Sequence, residues 1–294
     1  LIVIIFSVVL MRTYAQQAPS QSSGSGPETN PPVKQDVSPA LRDIAPVLED
    51  PGKPKKEKSL GRPHGHVASS SPDGAVQSST GPLVGTTSGQ NLLGVGTGFV
   101  GPAGAYGVSV APSDSNGAVE LNQYVEWVNT AFAVFNKSTG AVTYGPAAGN
   151  TLWSGFGGAC ETNNDGDPVA QYDKIANRWV LSQLSVATTP YYQCVAVSTT
   201  SDATGSYYRY AFQMPNFPDY PKMGIWPDGY YISFNMFSGN TFVGARVCAF
   251  DRQKMLTGAS ATQQCFQLGN TIDSLLPSDL DGSTARRPAP PITS

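Results

Sequence analysis

The stretch that decides the fold is Asp114-Ser-Asn-Gly-Ala-Val-Glu-Leu-Asn-Gln-Tyr-Val-Glu-Trp-Val-Asn-Thr-Ala-Phe-Ala-Val-Phe-Asn-Lys-Ser-Thr-Gly140. It opens on a turn of Asp, Asn and Gly. An aromatic-led run, Tyr124–Asn129, and a second apolar run, Ala131–Asn136, follow before a Thr-Gly turn. Runs of this length, rich in Val, Phe, Tyr and Trp and bounded by Gly and Asn, read as β-strands. The pattern recurs. Asn164-Asp-Gly-Asp167 precedes Trp179–Gln183, Tyr192–Ser198 and Thr204-Gly205. Pro227-Asp-Gly229 precedes Tyr231–Asn235, Ala245–Asp251 and Thr257-Gly258. Counting from Thr139, the Thr-Gly turns lie 65 and then 53 residues apart. A period of that size, built from strands alone, predicts the blades of a β-propeller.

A fourth unit opens at Pro277-Ser-Asp-Leu-Asp-Gly282, which repeats Pro112-Ser-Asp-Ser-Asn-Gly117. The expectation is an all-β fragment over 92–294, about three blades plus the start of a fourth, belonging to a longer protein. At the other end, Leu1–Leu10 is apolar apart from Ser7, and Thr13-Tyr-Ala15 supplies small residues for cleavage before Gln16. Residues 1–15 therefore read as a secretory signal, too short to span a bilayer. Residues 16–91 are rich in Pro, Ser, Gly and Gln, a composition that buries too little apolar surface to offset ordering entropy. They are expected to form a disordered linker, with one short helix over Pro39–Pro46. His64 and His66 lie in this tract without a third ligand.

A net charge of −3 with 13% charged residues leaves no basic field for nucleic acid. The expected localisation is secreted or cell-surface, with an extracellular glycan or protein as partner and no membrane span. An even count of four cysteines in an exported chain favours two disulfides. Cys248 and Cys265 lie on neighbouring strand candidates, which leaves Cys160 for Cys194. No histidine follows His66, so imidazole-dependent hydrolase chemistry is disfavoured for this stretch.

The candidate site residues are therefore carboxylates and aromatics. Asp114, Asn116, Asp165, Asp167 and Asp228 sit in the turns that open the units, where Asx side chains also serve turn geometry. Asp165 and Asp167 are the candidate calcium ligands, and no other cofactor is expected. Glu126 lies mid-strand, facing away from Val125 and Trp127; with Asp167 or Asp228 it would form a catalytic carboxylate pair. Tyr191, Tyr192, Tyr207, Tyr208, Tyr210, Tyr220, Trp226, Tyr230 and Tyr231 crowd one window. Trp226 and Tyr230 are the expected ligand-stacking rings.

Several stretches carry a resemblance: Pro112–Ala118, Gln123–Asn129, Phe156-Gly-Gly-Ala-Cys160, Gly166-Asp-Pro168 with Tyr172-Asp173, and Asn177–Gln183. Phe217-Pro-Asp-Tyr-Pro-Lys222, Trp226–Tyr231 and Leu276–Gly282 extend it. Together they resemble a family of exported bacterial β-propeller proteins for which no reaction is settled. Glu120 stands where that pattern has Gly. Thr200-Ser-Asp-Ala-Thr-Gly-Ser-Tyr-Tyr208 resembles a degenerate Asp-box turn of sialidase-type propellers, whose active sites gather three arginines; Arg178, Arg209 and Arg246 are the residues at issue. The resemblance implies a propeller and an exported, non-catalytic binding or adhesion module. The competing expectation is a glycoside hydrolase acting through channel carboxylates.

Overall fold

The computed structural model describes residues 26–48, 85 and 89–280, apart from 97, 107–109, 111, 273 and 279. The signal at 1–15, both histidines, Asp279 and Asp281 lie outside the described residues. Two short strands come first, β1 (Glu28–Asn30) and β2 (Lys34–Val37). A small hairpin follows, β3 (Val100–Gly101) with β4 (Gly104–Ala105). Three antiparallel meanders make up the rest. The first sheet is β5 (Asn116–Val119), β6 (Gln123–Val128), β7 (Ala131–Asn136) and β8 (Val142–Ala148). The second is β9 (Val169–Asp173), β10 (Arg178–Ser185), β11 (Tyr191–Ser198) and β12 (Tyr207–Met214). The third is β13 (Phe217–Trp226), β14 (Gly229–Ser238), β15 (Thr241–Phe250) and β16 (Gln263–Gln267). β2 joins the outer edge of the second sheet and β1 that of the third. The all-β expectation holds, and the strands pair in open antiparallel sheets.

Alternation explains how the sheets stack. Along β10, Trp179 and Leu181 face the first sheet while Val180 faces the third. Along β11, Cys194 and Ala196 face one way and Val195 and Val197 the other. The second sheet is thus apolar on both faces and is covered on both. One core joins it to Trp127, Phe132 and Val134 of the first sheet. A second joins it to Ile232, Phe234 and Phe250 of the third. The far face of the first sheet, with Ala133 and Phe135, is covered by Val95, Phe99 and Tyr106.

Three sequence expectations change. Residues 26–48 are not a loose linker. They form a strap that runs along the last strand of each sheet: β1 on β16, β2 on β12, and Val47, whose carbonyl accepts from the Ala148 N–H, against β8. Compositional reasoning missed this because a strap held by backbone pairing needs little apolar surface. Second, the short helix expected over Pro39–Pro46 is a single 3-10 turn, Leu41–Asp43. Third, the last copy of the repeat is out of phase with the first two. Asp114–Gly117 leads into β5 and Asn164–Asp167 precedes β9, the first strands of their sheets, but Pro227-Asp228 is the turn between β13 and β14, at the far end of β13. The Thr-Gly turns do correspond, each lying between the third and fourth strands.

Cys160 pairs with Cys194, tying the short helix α1 (Ala159–Thr162) to β11; Cys248 pairs with Cys265 across β15 and β16. Among the described residues no helix is long and apolar enough to cross a membrane. The second and third sheets are also joined by a buried carboxylate. Asp173, fully buried at the end of β9, accepts from Arg252 Nε at 2.7 Å and from Tyr230 O–H at 2.9 Å. Its other oxygen accepts from Arg252 Nη2 and from the Ile175 and Ala176 N–H groups. Arg252 opens the short helix α2 (Arg252–Met255) and is itself buried.

Removing Asp173 would leave a buried guanidinium without its counter-charge. Asp173→Ala is expected to destabilise the fold by about 3–5 kcal/mol in urea unfolding. Arg42→Ala, which removes an exposed pair with Asp202, is expected to cost no more than about 1 kcal/mol. Similar effects from both would contradict the assignment.

Candidate functional site

The first strands of the three sheets, β5, β9 and β13, begin side by side. Asn116 fastens the first two: its amide N–H groups donate to the carbonyls of Asp114, Trp127 and Pro168, and its carbonyl accepts from the Ala170 N–H. Asp167 fastens the second pair, its Oδ2 accepting from the Tyr220 N–H at 3.0 Å. Each sheet therefore presents one aspartate at this end: Asp114, Asp167 and Asp219. Left-handed backbone at Asp114 (φ 41°), Asp167 (φ 47°) and Tyr220 (φ 55°) turns the chain sharply into each strand. In β13 the turn is a bulge between Asp219 and Lys222, a device that re-aims side chains.

Between them lies a cavity of about 120 Å³, lined by Asp114, Asn116, Asp167, Tyr220 and Lys222. Tyr220 is 44% exposed at its rim, and the Lys222 ammonium sits 3.8 Å from the centre of the Tyr220 ring. Asp114 Oδ2 also accepts from Asn129 Nδ2 at 3.1 Å. Burial pushes the Asp167 carboxyl up to about 7, reinforced by the charges of Asp219 and Asp114 and opposed by the Tyr220 N–H and Lys222. Burial pushes Asp219 up to about 6, with Asp114 adding and Lys222 opposing. Asp114 is raised by burial and held back by Lys222. With its carboxyl raised to about 7, Asp167 is present in both protonation states near neutral pH, so this mouth can both donate and accept hydrogen bonds.

The other sequence candidates go elsewhere. Asp165 accepts from the Val186 and Ala187 N–H groups and closes the turn between β10 and β11. Asp165 and Asp167 thus accept from backbone N–H groups of different segments. Among the described residues no group of three or more His, Cys, Asp or Glu side chains is placed to hold a metal ion. Glu126 does face away from Val125 and Trp127, but its Oε2 accepts from the Val95 N–H at 2.7 Å and secures the segment covering the first sheet. Asp228 accepts from Tyr231 O–H, and Trp226 donates to the Ser278 carbonyl, both beside a larger apolar cavity of about 630 Å³ on the outer face of the third sheet. Glu126, Asp167 and Asp228 therefore bind three different partners instead of forming a pair. Tyr230 is a core residue bound to Asp173, not a stacking ring. Arg178 bonds its own turn at Ala176 and Asn177, Arg209 bonds Asp36, and Arg246 bonds Glu28; the three have separate partners. Asp202 of the Asp-box-like turn bonds Thr204 and Gln123, bracing the second sheet on the first.

Asp219 and Lys222 were missed because the third unit was phased on Asp228. Spacing carries the signal that finds them: Asp114, Asp167 and Asp219 lie 53 and 52 residues apart.

The raised Asp167 value has a pH consequence. The folded chain holds that proton more tightly than the unfolded chain, whose carboxyl titrates at 3.8. The contribution favours folding at acid pH and is lost as pH rises through about 7. Asp167→Asn is therefore expected to raise the melting temperature relative to the parent at about pH 8, by more than at about pH 4. An equal difference at both values would contradict the assignment. No known protein family, curated protein or solved structure matches the chain.

Proposed function

We propose that the chain is an exported, non-catalytic binding module of propeller type, and that its ligand is a hydroxyl-rich glycan held at the mouth of β5, β9 and β13. The observation that carries this reading is a small cavity lined by Asp114 and Asp167 from two sheets and by one lysine and one exposed tyrosine ring from the third, with the charge of Asp219 acting on Asp167. A sugar edge offers hydroxyls that both donate and accept, which suits carboxyl groups present in both protonation states. Tyr220 offers an apolar ring face with a polar tip, as binding surfaces commonly do. Two disulfides support an oxidising compartment. The propeller reading is supported by three successive four-stranded meanders whose first strands lie together.

A second reading rests on one observation: Asp167, raised to about 7, has the character of a general acid beside Asp219, raised to about 6. In that reading the mouth cleaves a glycosidic bond instead of holding the sugar.

A glycan panel scored for retention and for released reducing sugar separates the two. Retention without release is expected. Asp167→Asn and Asp219→Asn are each expected to weaken retention roughly tenfold, the scale of one lost charged hydrogen bond, while Asp228→Asn leaves it unchanged. Release abolished by Asp167→Asn would establish the hydrolase reading. Retention untouched by either mouth variant would remove the site altogether.

A further inference from the structure

The strap holds the outer rim in an unusual way. It buries little apolar surface: all three residues of β1 are exposed, and β2 is exposed at both ends. Leu41 is its one fully buried apolar side chain. Besides the exposed Arg42–Asp202 pair, the strap is held by strand pairing and by two ion pairs to buried arginines. The pairs are lopsided. Arg209 of β12 is 1% exposed and Arg246 of β15 is 2% exposed, whereas their strap partners Asp36 and Glu28 are 31% and 47% exposed.

Arg209 is set before the strap arrives. Its Nη1 donates to the carbonyls of Leu152 and Ser154, and its guanidinium lies 5.3 Å from the centre of the Phe156 ring. That leaves Nε and Nη2 to meet Asp36 side-on, at 2.8 and 2.6 Å. Such a fork recognises a carboxylate by shape as well as charge. Arg246 Nη2 meets Glu28 at 2.6 Å. Without a carboxylate each guanidinium would be a buried charge lacking its partner. Pro31 and Pro32 carry the strap from the third sheet to the second, where missing N–H groups keep it from pairing on between the edges. The rim therefore reads an extended segment by backbone pairing and by two acidic residues eight positions apart, which is recognition by β-strand addition.

We propose that the outer edges of β12 and β16 are a receptor for such an acidic extended segment, and that the strap of a second copy of this chain takes the place of the chain's own, joining copies by strand exchange. Chain length permits it: the 40 residues from 49 to 88, at about 3.3 Å each when extended, reach roughly 130 Å. Short strands with little buried apolar surface are the ones that open first, and exchange of an identical element is a low-cost route to association.

The test uses the full chain with a specific protease site inserted after Ser70, outside every contact described. After cutting, a fluorescent peptide of residues 26–48 is added. Saturable uptake is expected, and the peptide carrying Glu28→Gln and Asp36→Asn is expected to bind at least roughly tenfold more weakly. Two uncut full chains with different affinity tags, mixed and warmed below their melting temperature, are expected to be captured together. No uptake after cutting, or equal uptake of the neutral peptide, overturns the receptor. Peptide uptake without joint capture of the tagged chains overturns exchange between copies.

Discussion

The structure depends on one constraint: the middle sheet has no polar face. Trp179 and Leu181 alternate with Val180 along β10, and Cys194 and Ala196 with Val195 and Val197 along β11. A sheet of that kind must be covered on both sides, and the flanking sheets supply the cover. With neighbours on both faces and the first strand of each sheet laid against the next, the beginnings of β5, β9 and β13 are brought together. Asn116 and Asp167 fix that meeting by hydrogen bonds to the next sheet, while Asp173 with Arg252 fastens the second and third sheets from the other end of β9.

The mouth is a consequence of this arrangement. Any residue that opens a first strand is carried to the same place, so a residue type repeated once per sheet becomes a cluster. Here the repeated type is aspartate. Three carboxyls with a single lysine among them disfavour one another's ionisation in a partly buried site, and burial together with the charges of Asp219 and Asp114 lifts Asp167 to about 7. On the third sheet's outer face, between Trp226, Tyr231 and Phe266 and the segment Leu275–Ser278, lies the larger apolar cavity.

Much of this was legible in the sequence, because strand-length apolar runs and Thr-Gly turns are local signals. The middle strands of each sheet, the all-β class and both cysteine pairs follow from such signals. The phase of the third unit was not legible by motif: Pro227-Asp228-Gly229 has the composition of an opening turn but joins two strands already paired. The strap was hidden for a different reason. Its cohesion lies in backbone pairing and in two arginines more than 170 residues away, at 209 and 246, and composition is blind to both. Glu126 shows the converse. Its mid-strand position suggested catalysis, yet its carboxylate secures a neighbouring backbone N–H.

The most direct test of the account is an NMR titration of the aspartate side-chain carboxyl carbons in the parent and in Asp219→Asn. Convergence of the three sheets requires Asp167 to titrate near 7 in the parent, and to move down toward the ordinary carboxylate range once the Asp219 charge is gone. If Asp167 titrates near 3.8 in both proteins, the opening turns of the three sheets do not share a site.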